Sequence, residues 1–180
     1  MSILSDPFLW AFVSMFGLVG CGAVVSGSRL GRFPVSGATV VIVFDLGRVI
    51  LVLPFCQQPR FDMWNVNMFV GGLIFIVGIL FCAPALAIKP ITGPDRTITL
   101  KTDGFYGIVR NPIYTGEILW CLGLAVFFRS VIGVALIPVW WLALLFHIAK
   151  EEGSLERELG DTFLAYKRRV RGRMIPGLPF

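Results

Sequence analysis

Two short stretches crowd together side chains capable of hydrogen-bonding or proton chemistry. The first is "GFYGIVRNPIYTGEILW", residues 104–120, with Arg110, Asn111, Tyr114 and Glu117 at the mouth of an apolar run. Pro112 suits the first helical turn, so a helix starts there with Asn111 expected as its N-cap. Asn111, Tyr114 and Glu117 follow at intervals of three and share one helix face. The free N–H groups and positive dipole end of such a helix favour a carboxylate or another anion. The second stretch is "FHIAKEEGSLERELGDTFLAYKRRV", residues 146–170. His147 and Glu151 lie four apart and stack on a helix, which offers a proton acceptor beside a cation-binding carboxylate.

The elements that position these groups are apolar helices. The chain has 180 residues, 56% hydrophobic and 15% charged, with a mean hydropathy of +0.81. That is far from a soluble domain and matches a membrane protein. Five runs of suitable length fall at about 7–26, 36–54, 67–88, 112–128 and 131–149. The first lacks a basic leader and a small-x-small cleavage site, so it is expected to remain as a helix. The fold class expected is therefore an all-α integral membrane protein with five transmembrane helices. Arg129–Ser130 is a short turn, so helices 4 and 5 form a hairpin that brings the two polar stretches together. Leu155, Leu159, Phe163, Tyr166 and Val170 then mark one amphipathic C-terminal helix on the cytoplasmic membrane surface. Residues 1–90 form a three-helix N-terminal part, and residues 91–180 form the part that carries the chemistry.

Charge orients the bundle. Of the 16 Lys and Arg residues, all but Arg48, Arg60 and Arg129 fall on the side that carries loop 1–2, loop 3–4 and the C-terminal tail. Basic loops favour the cytoplasm, so a multi-pass topology with the N-terminus out and the C-terminus cytoplasmic is expected. The net charge of +5 is accounted for by anionic lipid beside the tail, and no nucleic-acid partner is expected. The four cysteines have no C-x-x-C pair and the one histidine cannot build a site alone, so no metal is expected. Asp45 and Arg48, three apart in the second run, are expected to pair and so reduce each other's cost in the membrane.

The motif "GFYGIVRNPIYTG" followed by "EEGSLERELGDTFLAYKRRV" resembles the isoprenylcysteine carboxyl methyltransferase and phospholipid methyltransferase superfamily of integral membrane enzymes. The resemblance covers about residues 98–176. It implies S-adenosyl-L-methionine bound at the cytoplasmic face, a lipophilic acceptor entering from the bilayer, and a bacterial inner-membrane location. It also implies a cofactor site formed by Ile98, Thr99, Leu100, Lys101, Tyr106, Asn111, Pro112, Ile113, Tyr114 and Glu151. His147 stands where the prenylcysteine enzymes carry a substrate-binding arginine. That departure points to an acceptor other than an isoprenylcysteine carboxylate, with His147 touching substrate and His147 or Glu117 as the catalytic base. Two further readings stay open: an NADPH-dependent membrane reductase similar to sterol reductases, and a non-catalytic membrane module on the same scaffold. The acceptor and the oligomeric state are not legible.

Overall fold

A computed structural model describes the backbone of residues 2–25, 37–87 and 100–179, and the side chains of 2–20, 42–82 and 100–179. Among the described residues six α-helices follow in order: α1 Pro7–Val25, α2 Gly37–Val52, α3 Val66–Ala87, α4 Pro112–Phe127, α5 Val131–Leu159 and α6 Asp161–Arg169. Short 3-10 turns lie at Ile3–Ser5 and Gly104–Gly107, and no strand occurs among the described residues. The first four apolar runs read from the sequence coincide with α1 to α4 to within two residues, and the fifth shares its start with α5. Among the described residues, α5 alone is long and apolar enough to cross a membrane; the apolar stretches Pro7–Gly20, Val66–Cys82 and Pro112–Phe127 are shorter.

Glycines set how closely the helices approach. Gly71 and Gly78 on α3 face Gly123 and Gly116 on α4, each pair seven residues apart, so two helical turns of one match two of the other. A Cβ added at Gly78 would lie 2.3 Å from the Trp120 nitrogen, and one at Gly123 would lie 2.4 Å from the Phe75 nitrogen. Backbone cannot yield as a side chain can, so these helices pack main chain to main chain. Gly17 sits equally close to Phe44, and Gly47 to Ser14, which joins α1 to α2. Gly72 has nothing within 4 Å. We expect Gly78→Ala to cost about 1–3 kcal/mol through overpacking, whereas Gly72→Ala leaves the unfolding midpoint unchanged or raised. Thermal unfolding of the two variants in detergent checks this, and equal midpoints would refute the packing account.

The α4–α5 hairpin is closed by three residues. Arg129 adopts φ +57, the Ser130 hydroxyl accepts from Gly133 N at 2.9 Å, and the same hydroxyl donates to Gln58 Oε1 at 2.7 Å. The Arg60 guanidinium donates to Val52 O, Leu53 O and Phe128 O at 2.6–2.8 Å, and so satisfies carbonyls at the ends of α2 and α4. The two loops are thereby tied together.

The C-terminal region departs from the sequence expectation. The fifth helix does not stop near 149 but runs on to Leu159, and the chain breaks at Gly160, which has φ +51. A left-handed glycine reverses the chain at low cost. The stripe Leu155, Leu159, Phe163, Tyr166 and Val170 is thus divided between α5 and α6. It closes on itself with Leu100 as a small core. Burial against the protein, rather than a flat membrane surface, accounts for its apolar spacing. The boundary expected at residue 90 lies outside the described residues, and α3 and α4 on either side of it pack as one unit.

Candidate active site

The mouth of α4 is strapped by the C-terminal tail. Arg110 N donates to Gly172 O at 2.8 Å, Asn111 N to Arg173 O at 2.9 Å, and Thr115 Oγ1 to Met174 O at 2.8 Å. The Arg110 guanidinium reaches Val170 O and Arg171 O at 2.8 and 2.7 Å through Nη1. Its Nε meets Glu152 Oε1 at 2.7 Å, while Arg173 Nε meets Glu152 Oε2 at 3.1 Å. Glu152 is 3% exposed and Arg110 7%. A buried carboxylate between two guanidiniums is fully compensated, so Glu152 is a fastener.

Asn111 stands at the N-cap position of α4 with Pro112 after it, but its side chain makes no cap bond. Its amide turns to Glu152 Oε1 at 3.3 Å and Arg173 O at 3.4 Å. The expected cap is replaced because a buried carboxylate is the stronger acceptor. The first turn of α4 therefore keeps N–H groups that no side chain caps.

Glu151 faces elsewhere. Neighbours on a helix are about 100° apart, so the doublet cannot point one way. Glu151 Oε1 lies 3.7 Å from His147 Nε2, and the Glu151 side chain is 35% exposed. Tyr114 packs edge-on against His147, with ring centroids 5.8 Å apart. Burial first, and then the Glu151 charge, raise the pKa of the half-buried Tyr106 phenol. The Tyr106 carbonyl accepts from Tyr166 Oη at 2.8 Å. Burial pushes the Tyr166 phenol up to about 12, so it remains a neutral donor. Tyr106, Tyr114, His147 and Glu151 thus surround one mouth, and all three tyrosines of the chain serve it.

The remaining expected cofactor residues divide. Leu100 packs on Phe163, Tyr166 and Val170, beside Lys101, and the next carbonyl, Thr102 O, accepts from Arg169 Nη2 at 3.3 Å. Pro112 is buried and Ile113 half-buried in the first turn of α4. Ile98 and Thr99 lie outside the described residues.

Deeper in the bundle, Arg48 pairs with Asp45 as expected and also approaches Glu117 Oε2 at 3.5 Å. Its guanidinium lies 3.7 Å from the centroid of the Phe44 ring and 4.8 Å from that of Trp120. Glu117, unexplained by the sequence, therefore has a buried counter-ion from another helix. Glu151, His147 and Tyr114 are in successive contact, and Glu117, three residues after Tyr114 on α4, meets Arg48. Sequence reasoning missed the Arg110–Glu152–Arg173 clamp and the Arg48–Glu117 link. The Glu151–Glu152 doublet held a signal for the first, since two adjacent carboxylates on a helix cannot share a pocket.

The family described as phospholipid methyltransferase matches residues 66–162, from the start of α3 into α6. The chain belongs to that family. Outside the family model, human protein-S-isoprenylcysteine O-methyltransferase is 35% identical over 85 residues, covering 47% of this chain and 28% of the relative. The mouse enzyme of that name gives the same identity over 29% of its length. The B form from Arabidopsis thaliana is 33% identical over 82 residues, covering 45% of this chain and 40% of the relative. The matched segment thus spans well under half of each relative. No solved structure matches the chain significantly. Both motifs around the α4 mouth fall within or close to the family segment, whereas Asp45 and Arg48 fall outside it.

Proposed function

We propose that the protein is an integral membrane methyltransferase that uses S-adenosyl-L-methionine and acts on a lipophilic acceptor at the cytoplasmic face. The observation that carries the reading is the division of labour in the carboxylate doublet. Glu152 is consumed by the clamp, while Glu151 stays accessible beside Tyr106, Tyr114 and the uncapped start of α4. Those residues fit the cofactor's chemistry. The α4 N–H groups suit its carboxylate, Glu151 suits its ammonium and sulfonium, and Tyr106 suits contact with its adenine. When bound, the cofactor supplies an electrophilic methyl group.

The protein's own part is alignment and exclusion of water. The tail strap and the Tyr166–Tyr106 bond fix the walls of the mouth, which makes the site rigid before any ligand arrives. His147 is buried one turn before Glu151, on the side toward the bundle, where it can orient an acceptor heteroatom or take its proton. Glu117 is the second candidate base, and it lies 3.5 Å from the Arg48 guanidinium. The acceptor is a lipid or small hydrophobic molecule methylated at a heteroatom, rather than an isoprenylcysteine carboxylate. Exposed apolar residues on α1 and α3, among them Phe8, Phe12, Phe69 and Ile76, support a five-span bundle facing lipid. The basic loops support an N-terminus outside and a C-terminus in the cytoplasm.

Titration of the purified protein with S-adenosylhomocysteine and with NADPH tests the reading. Saturable calorimetric binding of the first and none of the second is the expected result. NADPH binding alone would favour a reductase, and binding of neither would favour a non-catalytic module; both would overturn the proposal. A reductase would need the basic run 168–173 for the 2′-phosphate of NADPH, but Arg169 and Arg173 are engaged with Thr102 O and Glu152, which weighs against it.

A further inference from the structure

The side of the bundle away from the cofactor mouth carries only Arg60 and Arg129 as basic residues in the five-span reading, and the fold brings both to one cavity. This cavity, of about 400 Å³, is lined by Arg60, Arg129, Asn65, Asn67 and an apolar wall that includes Phe127 and Phe128. It lies at the end of α4, about 24 Å from the helix mouth at 1.5 Å per residue.

Its polar lining is one-sided. None of the lining residues is acidic, and among the described residues neither arginine is in an ion pair. Arg60 is fixed in place by the carbonyls of α2 and α4, so its charge cannot move away. Burial first, and then the Arg129 charge, depress the Arg60 pKa. Two guanidiniums that disfavour each other are relieved by an anion placed against both. Arg129 is exposed and held at φ +57, while its backbone carbonyl accepts from Phe61 N at 3.1 Å. Non-glycine residues rarely adopt that conformation, yet here it carries a long cation at the rim of the cavity.

The apolar half of the lining limits which anion fits. A free inorganic ion would gain nothing from Phe127, Phe128, Pro54 and Met68, whereas an amphiphile sets its phosphate on Arg129, within the field of the fixed Arg60 charge, and its glycerol and upper chain on that wall. Trp64, 89% exposed beside the rim, is the kind of residue that sits at headgroup level. We propose that this cavity binds the phosphate diester of an anionic glycerophospholipid in the leaflet opposite the cofactor site. The inference rests on the membrane-spanning reading but not on the methyltransferase reading, since no residue of the α4 mouth takes part.

Native mass spectrometry of the full-length protein from detergent micelles tests it, with dioleoylphosphatidylglycerol, dioleoylphosphatidylcholine and inorganic phosphate as separate probes. Phosphatidylglycerol is expected to be retained in preference to phosphatidylcholine. Arg129→Gln should lower that retention about tenfold, the loss of one charge-assisted contact, Asn65→Asp should lower it by setting a carboxylate against the phosphate, and Arg129→Lys should restore part of what Arg129→Gln loses. Arg129 and Asn65 are exposed, so the variants keep the fold, and the thermal unfolding midpoint in detergent serves as the independent readout. Retention unchanged in both variants would overturn the site, because the lipid would then be on the basic tail. Displacement of the lipid by inorganic phosphate at equal concentration would overturn the lipid assignment in favour of a free-phosphate site.

Discussion

Glu152→Ala is expected to leave a protein that unfolds far more easily than the native chain. The Glu152 carboxylate is 3% exposed and is bonded by Arg110 at 2.7 Å, Arg173 at 3.1 Å and Asn111 at 3.3 Å. Removing it strands a buried guanidinium and loosens the tail from α4. Breaking a buried pair in this way costs about 3–5 kcal/mol. Glu152→Gln keeps an accepting oxygen and loses the charge, so it should fall between the two. Chemical denaturation in detergent, followed by tryptophan fluorescence, measures the series. A loss below about 1 kcal/mol for Glu152→Ala, the size of an exposed pair, would mean that the clamp does not hold the tail.

Glu151→Ala, one residue earlier, should behave in the opposite way. Its side chain is 35% exposed and faces His147 at 3.7 Å, so stability should change little. Affinity for S-adenosylhomocysteine should fall ten- to a hundredfold, about 1.5–3 kcal/mol for one charge-assisted contact. Tyr114→Ala is expected to fall within the same range, because Tyr114 holds the His147 ring edge-on as well as lining the mouth. Isothermal titration calorimetry of folded variants reads both. If Glu151→Ala and Tyr114→Ala bind as tightly as the native protein, the two residues do not share a cofactor pocket. The adjacent pair thus separates a folding role from a binding role, since Glu151→Ala lowers affinity at little cost in stability whereas Glu152→Ala lowers stability first.

The positions of α1 to α5 were legible in the sequence because each is a local property. A run of apolar residues fixes a helix by composition and length, and Pro112 marks a start by its missing N–H. The convergence of the 104–120 and 146–170 stretches was legible too, because a turn as short as Arg129–Ser130 forces antiparallel neighbours. The pairing of Asp45 with Arg48 followed from a spacing of three on one helix.

Other features depended on contacts between distant segments. The strap over the α4 mouth uses the carbonyls of residues 170–174, and a carbonyl has no signature in the residue type. Asn111 has the right identity for a cap, yet a carboxylate 41 residues away draws its amide elsewhere. Gly160 looked like one more residue in a charged helix until its φ of +51 folded α6 back and turned a surface stripe into a core. Glu117 required a partner from α2, and Arg60 and Arg129 required two loops to meet. The sequence by itself determined which segments are helical and which groups could do chemistry, the neighbouring carboxylates Glu151 and Glu152 among them. Only the tertiary structure decided which of the two was buried, because that depends on where Arg110 and Arg173 stand, and two guanidiniums compensate the desolvation of one carboxylate only from within hydrogen-bonding distance.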